Sequence, residues 1–212
     1  INPSDALKII GALRELSTEI ESHTFTYNES DEDVHSAIER GLVAKLGDLG
    51  GAFRAGRSRN DLVVTDFKLY LIDHILEIAQ TLTELIDSLN RVADDYKDAL
   101  APGFTHLQHA QPINFGHEIA KHSHAFLRDI SRIEDWIRRN STSPLGAGAL
   151  AGSALQPHPE EAAEELGFSL SLGNSIDAVS DRDFVAEAVA ALRGDLFDGG
   201  SVRLEAESSG SD

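Results

Sequence analysis

The sequence predicts an all-α protein built round a long helical bundle. Three observations carry that expectation. Val63, Phe67, Leu71, Ile75, Ile78, Leu82, Leu85, Leu89, Val92 and Tyr96 recur every three or four residues, a mean step of about 3.7 that matches the helical period. No proline or glycine falls between Ser58 and Ala101, and a helix of that length spans on the order of 60 Å at about 1.5 Å per residue. No alternating run marks a strand or a hairpin. A single small domain cannot cover so long an apolar seam, so the helix belongs in an oligomeric bundle.

The other elements follow in order. Asn2-Pro3-Ser4-Asp5 opens a first helix whose apolar positions are Leu7, Ile10, Leu13, Leu16 and Ile20. After a loop from His23 to Ser30, a second helix is expected from Asp31 to about Leu46. Asp31, Glu32 and Asp33 fall in its first turn, where carboxylates meet the positive end of the helix dipole. Gly47 to Gly56 is a glycine-rich joint, and Ser58 with Asp61 has the pattern of a capping box for the long helix. Pro102-Gly103 ends that helix, and Phe104 to Gln111 reads as a loop. Pro112 suits the first turn of a helix running to about Arg139. Ser141 to Gly152 is a loop of small residues, Pro159 to Leu166 a short helix, and Gly173 to Ser180 another loop. A last helix starts at Asp181 and stops at Gly194. The Ser/Gly/Glu-rich stretch 199–212 reads as disordered. The expected organisation is a partial N-terminal helical domain over 1–56, a partial central bundle over 57–192, and a disordered or divergent tail over 193–212.

Composition excludes several functions. The 36 acidic and 18 basic side chains leave a formal charge of −18, which repels phosphate backbones and argues against nucleic-acid binding. No run of 18 apolar residues suggests a membrane span, and no signal peptide is visible. The absence of cysteine excludes disulfides and thiolate chemistry and makes a cytoplasmic location the default. Five lysines stand beside thirteen arginines amid the acidic excess. That pattern suits an ordinary acidic cytoplasmic protein, with a salt-adapted surface as the alternative. Methionine is absent and residue 1 is Ile, so a chain shortened at its N-terminus is expected.

The unexplained polar residues cluster in loops and at helix starts, where functional groups concentrate. Gly56-Arg57-Ser58-Arg59-Asn60-Asp61 puts two arginines and an asparagine around a helix N-terminus, a setting suited to a carboxylate. Thr105-His106-Leu107-Gln108-His109-Ala110-Gln111 offers two imidazoles that titrate near neutrality. Further clusters are Asp33-Val34-His35, the small-residue run 144–152, Asn174-Ser175-Ile176-Asp177, and Asp181-Arg182-Asp183. Nine histidines raise the question of metal. HExxH is missing, and the helix that carries His117, Glu118, His122 and His124 has no bundle-type Glu-x-x-His, so no metal site is expected.

Taken in order, the segments DEDVH (31–35), AGRSRND with VTD (55–66), GFTHLQHAQP (103–112), PLGAGALAG (144–152) and NSIDAVSDRDF (174–184) resemble the argininosuccinate lyases of the fumarase/aspartase superfamily. The resemblance covers about residues 3 to 191. It implies the all-α bundle of that superfamily and cleavage of argininosuccinate to arginine and fumarate by anti β-elimination. It also implies a cytoplasmic homotetramer of arginine biosynthesis whose active sites each draw on three subunits, and no cofactor.

By motif match, His106 is the acid–base histidine, and Asn60 and Thr105 hold substrate. Ser58, Arg59, His35 and Gln111 line the same site. The family also carries a substrate-binding serine upstream and a catalytic serine on a GSSxMPxKxNP loop downstream, neither of which occurs in this sequence. The expectation is therefore a lyase, shortened at both ends and with poor turnover as this chain alone. The alternative is a catalytically dead scaffold of the same family.

Overall fold

Helix formation begins where the sequence caps it. In the computed structural model, which describes residues 1–155, 158–171 and 173–192, the Asn2 side chain accepts the Asp5 N–H and starts α1 (Pro3–Glu21). Asp33 caps α2 (Val34–Leu46) through a reciprocal box with Ser36. The acidic run thus lies ahead of α2 rather than in its first turn: Asp31 turns back to the Arg40 guanidinium at 2.8 Å. The glycine-rich joint holds one more short helix, α3 (Asp48–Ala52). Ala12, Leu16 and Leu42 form the buried centre of this N-terminal part, with Phe25, Ile38 and Phe53 packed around it.

The long helix is α4 (Arg59–Asp95), opened by the Ser58–Asp61 capping box that the sequence predicts. It stops earlier than its freedom from proline and glycine suggests. Tyr96 caps it, and Phe115 and Gly116 donate back to the carbonyls of Ala99 and Tyr96 at 2.8 and 3.1 Å. These bonds divert the chain into an antiparallel hairpin of β1 (Leu100–Thr105) and β2 (Gln108–Asn114). Both the expectation of no hairpin and the loop expected over Phe104–Gln111 are corrected here. Pro112 sits in β2, opposite Pro102, where neither residue has an N–H to offer. The next helix, α5 (Phe115–Asn140), starts after it.

α5 returns along α4. A Cβ at Gly116 would lie 2.1 Å from the Ala93 carbonyl, so only glycine permits the approach. Between the two helices lies the main core, with Val64, Ile75, Leu82 and Ile86 of α4 against Phe126, Ile133 and Trp136 of α5. Phe184 and Ala188, from the helical stretch 183–192, close it. Trp136 donates its indole N–H to the Phe184 carbonyl at 2.8 Å. Lys68 lies buried beside them, 3.7 Å from Asp181 and over the Phe184 ring. Burial pulls its pKa down, and Asp181 opposes that shift.

The seam of α4 is split. Ile75 and Leu82 are buried against α5, whereas Phe67, Ile78, Leu85, Val92 and Tyr96 stay exposed. Beyond α5, β3 (Thr142–Ser143) pairs in parallel with β4 (Leu170–Ser171), flanking α6 (Pro159–Glu165). The segment Gly173–Ser180 contains a short helix, α7 (Ser175–Ser180), capped by the Asn174 side chain; the loop expected there is corrected. The stop expected at Gly194 and the tail over 193–212 lie outside the described residues. No described helix is long and apolar enough to cross a membrane.

Candidate functional site at the two ends of α4

The sequence-predicted residues fall into two groups. At the N-terminal end of α4, Ser58 accepts the Asn60 N–H on its hydroxyl at 3.2 Å. Arg59 forms an ion pair with Asp33, which joins the starts of α2 and α4. Asp33 is drawn down to a pKa of about 2, chiefly by the Ser36 N–H and further by the Arg59 guanidinium. His35, in the first turn of α2, brings Nε2 to 4.0 Å from Asp66. Four predicted residues, Ser58, Arg59, Asn60 and His35, therefore belong to one end of the molecule.

Asn60 marks the centre of this group. Its side-chain amide donates to the Ala149 carbonyl at 3.0 Å. Next to it opens a cleft of about 450 Å³ lined by Arg59, Asn60, Val63, Leu150, Ile176 and Arg182, among others. Val63, Leu150 and Ile176 make its lining partly apolar, and its two arginines are held in place, Arg59 by Asp33 and Arg182 by the carbonyls of Val179 and Asp181. Such an arrangement suits an anionic small molecule with an aliphatic portion, since arginine recognises carboxylates in a planar, bidentate way. Behind the cleft, Arg57 is stacked 4.0 Å over the Phe53 ring and donates to the Phe53 carbonyl at 2.6 Å. Burial pulls its pKa down, and Asp61 opposes that shift. Arg57 therefore holds the joint, while Arg59 and Arg182 line the cleft.

Thr105, His106 and Gln111 are at the other end. The hairpin closes with Thr105 paired to Gln108, leaving His106 and Leu107 as a two-residue turn with φ of +50° and +61°. Two left-handed residues in succession define the tight hairpin turn that matches strand twist, a position that usually takes Asn-Gly. Here it is built from residues for which that backbone is strained. His106 is thus carried on the tip of an arm, with Leu107 beside it 94% exposed. Phe104 and His109 stack across the strands with ring centroids 4.9 Å apart. Gln111 sits on β2, its carbonyl close against Gly103.

Sequence reasoning missed several contributors. The pairing of Asp33 with Arg59 was hidden because the two residues lie 26 positions apart in sequence and Asp33 is accounted for locally by its cap. Ser175 and Asp61 fall in clusters that the sequence singles out, but their partners do not show there: the Ser175 hydroxyl donates to the Leu150 carbonyl at 2.7 Å, and the Asp61 carboxylate reaches the loop 144–152. The only local signal was the run of glycines in that loop, with positive φ at Gly146, Gly148 and Gly152.

Comparison with known proteins gives the family. A protein family described as lyase matches residues 2–195. The argininosuccinate lyase of Frankia casuarinae is 54% identical over 196 residues, covering 92% of this chain and 42% of the relative. The argininosuccinate lyases of Acidothermus cellulolyticus and Streptomyces coelicolor are 50% and 47% identical, each covering 88% of this chain. This chain thus spans about 40% of the length of the relatives it matches. The crystal structure of EDDS lyase in complex with formate superimposes with a TM-score of 0.84 at 25% identity, covering 98% of this chain and 40% of that one. With the family matched over nearly its whole length and the same helical architecture shared with a solved lyase, the chain belongs to the lyase family, and argininosuccinate lyases are among its relatives.

Proposed function

We propose that the protein carrying this sequence cleaves argininosuccinate to arginine and fumarate in the cytoplasm, as a step of arginine biosynthesis. The observation that carries the reading is the 54% identity to an argininosuccinate lyase over 92% of the chain. A cleft flanked by Arg59 and Arg182 and edged by Asn60 supports it. In an anti β-elimination, a base removes the proton next to a carboxylate, and the electron pair passes into that carboxylate. The C–N bond then breaks, and the leaving guanidine nitrogen takes a proton. The developing charge needs cationic and N–H donors aimed at it, which the start of α4 and its arginines offer.

His106 serves as the acid–base histidine, with Thr105 and Gln111 beside it on the hairpin. Asn60, Ser58, Arg59 and His35 hold substrate at the other end. Copies of the chain assemble as a homotetramer through the edge of α4 on which Ile78, Leu85 and Val92 are exposed. The partial N-terminal domain over 1–56 and the bundle domain from 57 meet at the Asp33–Arg59 pair.

The test is release of fumarate and arginine in equal amounts from argininosuccinate by the intact protein. Replacing His106 with Ala should lower turnover by about 10²–10⁴-fold, the range for a general acid or base. Binding of argininosuccinate without fumarate release would favour a dead scaffold instead.

A further inference from the structure

One carboxylate sets the path of the loop that walls the cleft. Asp61, the third residue of α4, has no exposed surface. Its Oδ1 accepts the Ser58 N–H at 3.0 Å and completes the capping box. Its Oδ2 accepts two more donors, the N–H of Gly146 at 3.1 Å and that of Gly148 at 2.9 Å. A capping box needs only the first of these bonds. The other two tie α4 to a segment 85 and 87 residues away in sequence.

The loop depends on that anchor. Gly146 and Gly148 have φ of +101° and +61°. A Cβ on Gly146 would lie 2.6 Å from the Pro159 side chain, and one on Gly148 would lie 2.8 Å from the Gly152 carbonyl. Held this way, the loop presents its next two carbonyls outward. Ala149 receives the Asn60 amide, and Leu150 receives the Ser175 hydroxyl. Both residues line the cleft beside Asn60.

We infer that Asp61 is a positioning residue for the cleft: its carboxylate fixes the 146–150 loop and, through the Ala149 carbonyl, the orientation of the Asn60 side chain. Asp61 itself is shielded from the cleft and meets no substrate. Its effect on turnover rests on the lyase reading above; its effect on the loop does not.

The test uses the intact protein carrying this sequence and the isosteric variant Asp61→Asn. An amide offers one acceptor oxygen and turns an NH2 group toward whichever N–H the oxygen does not face. The expected result is at least about tenfold faster hydrogen exchange at the Gly146 and Gly148 amides, with the core of α4 and α5 still protected. With argininosuccinate, KM should rise about tenfold and kcat should change less. Unchanged exchange at these two amides, or altered exchange with an unchanged KM, would overturn the inference.

Gly148→Ala disturbs the same loop without touching the carboxylate and serves if Asp61→Asn does not fold. It should raise KM in the same way, and an unchanged KM would count against the inference. Where both variants fold, the double variant should be no worse than either alone; effects that multiply to about a hundredfold would show independent actions and overturn the inference. A wild-type protein that releases no fumarate would refute the lyase reading and leave the exchange measurement to decide the role of Asp61.

Discussion

Asn60 and His106 stand at opposite ends of α4. Asn60 lies in its first turn, and His106 occupies the tip of the hairpin that follows its last turn. The 37 residues between Arg59 and Asp95 make a helix of about 55 Å, far longer than any small substrate. No single copy can bring both side chains to one molecule. The architecture separates the cleft beside Asn60 from the hairpin that carries the His106 imidazole, and a site shared by the two would need a second copy.

The crossing of α4 and α5 depends on Gly116. The nearest obstacles to a Cβ there are backbone atoms of Ala93 and Lys97, which cannot rotate aside. Gly116→Ala should destabilise the protein by about 2–3 kcal/mol, read as a lowered thermal midpoint. Gly11, inside α1, has nothing within 4 Å of a built Cβ. Gly11→Ala should stabilise by about 0.5–1 kcal/mol. Equal effects of the two substitutions would contradict the packing described.

The turn at His106-Leu107 stores backbone strain. Leu107 has φ of +61° and an almost fully exposed side chain, so it gains nothing from burial to offset that conformation. Leu107→Gly should stabilise the hairpin by about 1 kcal/mol, seen as slower amide exchange across β1 and β2. Faster exchange in the variant would mean that the leucine side chain itself supports the turn.

Acid should loosen the N-terminal helices in a defined window. Arg40 holds Asp31 down to a pKa of about 2, and the Ser36 N–H with Arg59 does the same for Asp33. Both lie below the ordinary value of 3.8. The stability they contribute is therefore complete above that value and is lost as the pH falls towards 2. Protonating Asp33 also releases Arg59. Carboxyl resonances of Asp31 and Asp33 followed by NMR should titrate near pH 2, and Asp33→Asn should weaken the acid response of α2. Titration of either residue at or above pH 4 would rule out these pairings.

Much of this was legible because caps and periodicity are local. Ser58 with Asp61, Asn2 ahead of Pro3, and the spacing from Val63 to Tyr96 each announced a helix that the structure contains. The hairpin was not legible. Its turn residues, His106 and Leu107, carry none of the glycine or asparagine that normally marks such a turn, and the bonds that end α4 come from Phe115 and Gly116, beyond the strands. The short helix α7 is not legible either, because six residues are too few to show a period. Candidate residues can be named from their motifs, but their grouping cannot. Neither the pairing of Arg59 with Asp33 nor the reach of Asp61 to Gly146 leaves a periodic trace in the sequence.

The central claim is that one end of α4 in one copy works with the hairpin of another. Two variants of the intact protein, Asn60→Ala and His106→Ala, should each be inactive towards argininosuccinate alone. Co-refolded in equal amounts, they should recover about a quarter of wild-type fumarate release, because a random assembly pairs an intact Asn60 with an intact His106 at about one site in four. Mixed oligomers that form, shown by two affinity tags, yet release no fumarate would contradict it.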